Sequence, residues 1–348
     1  MSVNLNSVLG AFSDDLAIDL GTANTLVYVP GRGIVIDEPS VVAIRSQNGT
    51  RQVIAVGERA KVMVGRTPEG IETIQPMRDG VIADFIATEA MLRYFIARAK
   101  STFGFRRPRI VICVPAGATP VERRAVYQTA MSSGARKAYL IEEPVAAAIG
   151  AGLPVQEPTG SMVVDIGGGT TDIAVLSLGG VLEAKSIRCA GHAMDDAIIR
   201  FVRCEHALLI GEVNAEKIKI EAGTAVEAAN GHELDIRISG RDIRTGRPKV
   251  ILLGPPDIAR ALAEPVGRIA DAIERTLERL PAEVATDIAE HGICLSGGGA
   301  LLDGIDVELG RRTGARFIVP DDPMHCVIRG TGRVLEHLSQ HEHFIIRP

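Results

Sequence analysis

The sequence predicts an α/β protein of two related lobes, and three observations carry that expectation. Apolar runs that read as buried strands alternate with helical segments along the chain. The segment Asp19-Leu20-Gly21-Thr22-Ala23-Asn24-Thr25 is matched by Asp165-Ile166-Gly167-Gly168-Gly169-Thr170-Thr171-Asp172 at nearly the same offsets. A third glycine run, Gly297-Gly298-Gly299, follows the strand-like Ile293-Cys294-Leu295 and leads into Ala300. At 348 residues the chain has room for two hydrophobic cores.

In chain order, Leu16 to Ile18 reads as the first buried strand and Val29-Pro30-Gly31-Arg32-Gly33 as a turn. Ile34 to Ile36 and Val41 to Ile44 are strand-like runs separated by Glu38-Pro39-Ser40, and Gln47-Asn48-Gly49-Thr50 reads as a hairpin loop. A small β-rich subdomain closes near Gln75-Pro76. Residues 84–99 have helical periodicity, with Phe85, Ala90, Met91, Tyr94 and Phe95 recurring on the apolar side. Ile110 to Val114 is a buried strand ended by Pro115. Thr119-Pro120-Val121-Glu122 opens a helix, with threonine at the cap and proline at the first position. Tyr139 to Ile141 is a further strand, and a helix begins at Pro144. The second half repeats the theme: strands at 162–164 and 173–176, a helix at 194–209, and a polar insertion over 225–251 with Gly231, Gly240 and Gly246 as turns. A long helix from Asp257 to Leu280 is expected to break at Pro281.

Composition excludes several classes. Hydrophobic content of 46% with 23% charged residues is that of a globular protein. The net charge of −5, with no long basic run and no aromatic stacking platform, argues against nucleic acid as a partner. The five cysteines lack CxxC spacing, which suits a reducing cytoplasm. The eight histidines form no zinc motif, and His337, His341 and His343 near the C-terminus read as a solvated tail. No stretch reaches the roughly 18 apolar residues of a membrane span, and the N-terminus lacks signal-peptide features.

The paired turns carry the chemistry. Glycine lets the backbone approach phosphate oxygens and adopt positive φ, so that consecutive N–H groups converge on an anion. Asp19 and Asp165 are suited to a hydrated magnesium ion, which favours carboxylates, water and phosphate oxygens. Glu142-Glu143-Pro144 lies between the halves, where Glu143 is well placed by a helix dipole. Glu216 and Lys219 share a helix face at i, i+3 and read by themselves as a solvated ion pair.

In this order and spacing the elements resemble the actin, heat-shock chaperone and sugar kinase ATPase superfamily. Within it, residues 17–25, 75–84, 142–150 and 163–171 resemble the MreB family of bacterial actin homologues, over essentially the whole chain. The resemblance implies an actin-like ATPase fold, each lobe having a ribonuclease H-like core and a smaller inserted subdomain. The implied division is 1–31, 76–149 and 320–348 for subdomain IA, and 32–75 for IB. Subdomain IIA then takes 150–184 and 252–319, and IIB takes 185–251. ATP and Mg²⁺ are implied between the lobes, with Gly21, Thr22, Ala23, Asn24 and Thr25 as the first phosphate loop. Gly167, Gly168, Gly169 and Thr170 form the second, and Asp19 and Asp165 hold the metal. Glu143 positions the attacking water with help from Thr170. Glu216, Lys217, Ile218 and Lys219 meet ribose and adenine, with Gly297, Gly298, Gly299 and Ala300 on the other side. The family's usual acidic residue after Gly191 is His192 here, so altered charge and a pH dependence near neutrality are expected. Asp172 in place of the commoner glutamate is a milder departure.

The implied function is a membrane-associated, ATP-dependent cytoskeletal filament that organises cell-wall synthesis and maintains elongated shape. A slow ATPase is coupled to polymerisation. Its partners are other copies of itself in paired protofilaments, the inner face of the cytoplasmic membrane, and the cell-wall elongation machinery. The helix beginning at Val121 resembles the family's lateral contact. An actin-like paralogue for organelle positioning, or a small-molecule kinase, would share the same core. A chaperone-type ATPase would need a peptide-binding domain beyond the last cleft segment, where little chain is left. Two segments suit a lipid surface. Leu5, Val8, Leu9 and Phe12 lie on one helical face, which packs either on the protein's own body or among headgroups. Phe103 and Phe105 flank Gly104 beside Arg106 and Arg107, placing rings near acyl chains and cations near anionic lipid. Exchanging both phenylalanines for serine and deleting the N-terminal segment is expected to abolish co-sedimentation with anionic liposomes; undiminished binding refutes the assignment.

Overall fold

The computed structural model describes residues 15–47, 49–100, 107–226 and 235–347. Leu5, Val8, Leu9, Phe12, Phe103 and Phe105 lie outside them, as does the expected turn at Gly231.

The first sheet is built from β1 (Leu16–Leu20), β2 (Asn24–Val29), β3 (Gly33–Pro39), β9 (Arg109–Val114) and β10 (Lys137–Glu142), in the order β3-β2-β1-β9-β10. β1 to β3 form an antiparallel meander, and β9 and β10 add in parallel. The second sheet contains β11 (Ser161–Ile166), β12 (Thr171–Ser177), β13 (Gly180–Ile187), β17 (Ile293–Ser296) and β18 (Phe317–Ile318). Its order, β13-β12-β11-β17-β18, and its strand directions repeat those of the first. The repeated sequence pattern is therefore a repeated topology. β1 and β11 sit mid-sheet, covered on both faces, which is why each reads as an unbroken apolar run up to its aspartate. β3 continues through Pro39, which the meander tolerates because β3 is an edge strand with no neighbour to receive the missing N–H.

Smaller sheets are inserted in each half. β4 (Val42–Gln47), β5 (Thr50–Val56) and β6 (Ile71–Ile74) form one, with the short helix α1 (Glu58–Lys61) packed on it. β7 (Met77–Arg78) and β8 (Val81–Ile82) make a two-stranded ribbon leading to α2 (Phe85–Ala99). Asp84 caps α2 by accepting the Ala87 N–H at 2.9 Å. α3 (Pro120–Ser132) begins with the anticipated cap, elaborated into a reciprocal Thr119–Glu122 capping box.

Two helix boundaries differ from the sequence expectation for identifiable reasons. α5 runs over Gly191–His206, starting three residues early, because the Gly191 and His192 N–H groups donate to the Gly167 and Gly168 carbonyls at 3.1 and 2.7 Å. The backbone of the second glycine turn thus satisfies a helix start that has no side-chain cap. α7 (Pro255–Leu277) stops short of Leu280, and Pro281 opens α8 (Ala282–His291) instead of merely ending a helix. In the second insertion, β14 (Leu208–Leu209), β15 (Ile236–Asp242) and β16 (Pro248–Leu253) form a three-stranded sheet beside α6 (Glu212–Ala222). α9 (Ile305–Thr313) precedes β18.

The chain crosses between the sheets at two helices, α4 (Glu143–Ala151) and α10 (Cys326–Glu336). α4 leaves β10 and packs under β11 and β12; α10 returns from the second sheet and packs on β1, β9 and β2. After α10, Ile346 bridges back to Leu140 of β10. One core cluster joins Ala17, Val111 and Ile141 of the first sheet to Val163, Ala174 and Cys294 of the second through these helices. The helices meet backbone to backbone. A Cβ on Gly150 would lie 1.8 Å from the Cys326 carbonyl oxygen, and one on Gly330 would lie 1.8 Å from that of Ala146. Gly332, on another side of α10, lets the Tyr28 ring approach, where a Cβ would meet it at 2.8 Å. Gly150→Ala is expected to destabilise the protein by about 3 kcal/mol through overpacking, measured as a lowered denaturation midpoint; an unchanged midpoint refutes this packing.

Candidate functional site

The two glycine turns face each other across a cavity of about 380 Å³ between the sheets. The first connects β1 to β2. Ser40 Oγ donates to the Gly21 carbonyl at 2.6 Å and lies 2.8 Å from Thr25 Oγ1. The second connects β11 to β12 and is closed by the Gly167 N–H donating to the Thr170 carbonyl at 2.9 Å. The turns come within van der Waals reach. A Cβ on Gly168 would lie 2.7 Å from Ala23 Cβ, and one on Gly169 would lie 2.8 Å from Thr22 Oγ1. Missing side chains let the loops converge. Thr22 Oγ1 also accepts the Gly80 N–H at 3.1 Å, which ties the start of β8 to the first turn.

At the floor of the cavity is an acidic cluster. Asp19 and Glu143 open onto the cavity, and Asp165 is buried with Ser296 Oγ donating to its Oδ1 at 2.6 Å. Burial, then the Asp165 charge and then Asp37, lift Asp19 from 3.8 to about 7. Burial raises Asp165 to about 7 as well, against the opposing Ser296 bond and with help from Asp172. Glu143 is pushed well above the ordinary range, first by burial and then by Asp172, Asp19 and Asp165. Asp172 is fully buried, takes the Ala116 N–H on Oδ1 at 2.9 Å, and leaves Oδ2 without a partner. Among the described residues no Lys, Arg or His pairs with Asp19, Asp165 or Glu143, a donor set that would suit a bound cation. Among the described residues no three His, Cys, Asp or Glu side chains form a metal cage. Asp19 and Asp165 are hard oxygen donors of the kind that would fit magnesium were it bound with water and phosphate oxygens.

The walls complete the site. Glu216, Lys219 and Ile220 of α6 line the cavity opposite Gly297, Gly298, Gly299 and Leu301. Gly297 has φ +81°, and a Cβ there would lie 2.4 Å from the Ile166 carbonyl oxygen. Glu216 and Lys219 do not pair with each other as their spacing suggested. Lys219 Nζ donates to the Gly191 carbonyl and to Asp195 Oδ2, both at 3.0 Å, while Glu216 reaches Lys61 of the first half. Burial raises Asp195 to about 6 despite Lys219. His192 lines the cavity, but burial and the neighbouring Lys219 lower its pKa from 6.5. The imidazole is therefore neutral at pH 7, and the expected titration near neutrality moves to lower pH.

Four expected residues are not brought to the cavity. Thr25 is buried against Ser40, Ile218 and Ala300 are buried in the second core, and Lys217 points outward to Glu221 at 3.8 Å. Conversely Ile220, Leu301 and Met324 line it while 73, 58 and 37% exposed. The spacing Glu216 to Ile220 (i, i+4) could have placed Ile220 there.

The chain matches the MreB/Mbl protein family over residues 13–343. It belongs to the MreB/Mbl family. It is 52% identical to the cell shape-determining protein MreB of Escherichia coli (strain K12), over 97% of each chain. Identity to the cell shape-determining protein Mbl of Bacillus subtilis (strain 168) is 46%, over 94% of this chain and 98% of that one. The crystal structure of MreB5 of Spiroplasma citri bound to AMPPNP superposes with a TM-score of 0.88 at 36% identity, covering 94% and 97% of the two chains. The fold is thus actin-like.

The raised carboxylates have a consequence for stability when the cleft holds no ligand. A carboxyl group whose folded pKa exceeds its unfolded value stabilises at low pH, and that contribution is lost as pH rises through the folded value. For Asp19 the loss falls between about pH 4 and about pH 7. Nucleotide-free Asp19→Asn is expected to melt above wild type at pH 8, with the gap closing toward pH 4. A pH-independent gap in thermal melts refutes the assignment.

Proposed function

We propose that the chain is a filament-forming ATPase of the MreB kind, binding ATP with Mg²⁺ in the interlobe cleft. It polymerises with itself into paired protofilaments on the inner face of the cytoplasmic membrane. There it organises the cell-wall elongation machinery and maintains elongated cell shape. The observation that carries this reading is the pair of glycine turns meeting over a buried acidic cluster with which no basic side chain among the described residues pairs. The Spiroplasma citri MreB5 structures bound to AMPPNP and ADP support a nucleotide in this cleft, and the names of the E. coli and B. subtilis relatives support the shape role.

Each wall has a task in this reading. Backbone N–H groups of Gly21 to Asn24 and Gly168 to Thr170 cradle phosphate oxygens, while Gly167 closes the second turn. Asp19 and Asp165 hold Mg²⁺, which when bound neutralises charge developing on the transferred phosphoryl group. Glu143, of raised basicity, aligns water and accepts its proton, and the Thr170 hydroxyl helps to orient that water. Ile220, Leu301 and Met324 offer apolar surface to a purine, and Glu216 accepts hydrogen bonds from a ribose.

The site and the crossing are one element, because Glu143 is the first residue of α4. A change at the phosphate end is thereby transmitted to the helix pair that joins the lobes. Val121, 79% exposed on α3, is available for the lateral contact between protofilaments. Among the described residues no helix is long and apolar enough to cross a membrane, so attachment falls to surface segments.

Sedimentation with ATP, with ADP and without nucleotide, viewed by electron microscopy, tests the filament. ATP-dependent pelleting of ordered polymers is expected; phosphate transfer to a sugar by a protein that stays soluble overturns the reading. Glu143→Ala is expected to lower phosphate release about 10²-fold or more while nucleotide binding persists. Unimpaired release removes Glu143 from the mechanism.

A further inference from the structure

The mouth of the cleft is bridged by an ion pair whose first-lobe partner no sequence motif marks. Lys61 Nζ lies 2.5 Å from Glu216 Oε2, joining side chains 28 and 29% exposed from segments 155 residues apart. Glu216 lines the nucleotide-sized cavity and also a second cavity of about 630 Å³, which Lys61 lines from the other wall. Glu216, with Gly169 and His192, therefore stands between the two spaces, and Lys61 reaches it from the second.

Both arms of the bridge are stiff. Lys61 ends α1, whose start is fixed by Gly57 at φ +67° with its N–H donating to the Val41 carbonyl at 2.9 Å. A Cβ on Gly57 would lie 1.9 Å from Glu38 Oε2, which also accepts the Glu58 N–H at 3.3 Å. Glu38 is in turn paired with Arg98 of α2, and Ala60 is buried beside Val41 and Ala43. On the opposite wall, Ala215 and Ile218 seat α6 in the second core, and Lys219 ties it to Asp195 and Gly191. Lys219 is thus already engaged and does not compete for Glu216. With both ends held, the contact exists at one separation of the lobes, and opening by a few ångströms breaks it.

We propose that Lys61 is a positioning residue of the nucleotide site, latching the mouth of the cleft through Glu216 and so slowing nucleotide escape. The inference rests on the nucleotide reading of the cleft given above. Lys61 occupies Glu216 Oε2, which leaves Oε1 for a ribose hydroxyl. Its ammonium also keeps that carboxylate aimed. One carboxylate then holds the ligand and the lobe angle together.

The experiment is a chase of fluorescent mant-ATP by unlabelled ATP from the full-length protein with Mg²⁺. Lys61→Met is expected to release nucleotide about fivefold faster than wild type, the upper end for a partly exposed pair. Lys61→Arg restores the slow rate, and wild-type release quickens as KCl is raised. In a Glu216→Gln background the Lys61→Met effect disappears, because the two residues act as one interaction. Wild-type release from Lys61→Met overturns the latch, as does equal acceleration in the Glu216→Gln background, which indicates a general charge effect. If Lys61→Met does not fold by circular dichroism, Lys61→Gln and the wild-type salt dependence decide the matter. Failure of the wild type to bind mant-ATP overturns the nucleotide reading itself, and the latch with it.

Discussion

The structure depends on the backbone contact between α4 and α10. These helices carry the chain across between the sheets, and Gly150 and Gly330 bring them closer than any side chain permits. Everything at the cleft is referred to that contact. α4 begins at Glu143 on the cavity floor, and α10 is held to the first sheet by Thr331 Oγ1, 2.7 Å from Cys113 Sγ, and by Tyr28 donating to Glu336 at 2.9 Å. A contact made of backbone has no rotamers to absorb a shift, so movement at one end of the pair appears at the other.

The same device, glycine where two chains must touch, recurs at the phosphate turns. Gly168 and Gly169 admit Ala23 and Thr22 of the opposite lobe, and the acids beneath then lie close enough to raise one another's pKa. Burial in the cleft, and after it the mutual charge of neighbouring acids, is what raises these carboxylates. On the function proposed above, a magnesium-bound polyphosphate would offset that penalty, so that closure and occupancy would be favoured together.

Much of this was legible in the chain. The two Asp-Gly/Thr turns, the strands that deliver them and the Thr119 cap follow from local rules, because each acts within a few residues. The repeated strand order was suggested by the repeated motif. What the sequence could not show lies across the cleft. Glu216 and Lys219 have the spacing of an ion pair, yet each finds a partner elsewhere, Lys61 in one case and Asp195 in the other. Ile218 and Ala300 sit inside motif segments but face the core, since a contiguous stretch of helix cannot point every residue at one ligand. The early start of α5 at Gly191 was hidden for a similar reason: its cap is the carbonyl backbone of a loop more than 20 residues upstream.

That start of α5 also gives His192 its place. Its N–H is fixed to the Gly168 carbonyl, so the imidazole is set against the second phosphate turn by backbone geometry, whatever its own chemistry. Burial, then Lys219 and Lys61, lowers its pKa, while Glu216 and Glu212 work in the opposite direction. A carboxylate at this position would add a negative charge beside an already repulsive acidic cluster. The neutral imidazole adds none. The acidic floor thus gains no further charge from this side chain, which lines the cavity beside Glu216 of the bridge to Lys61.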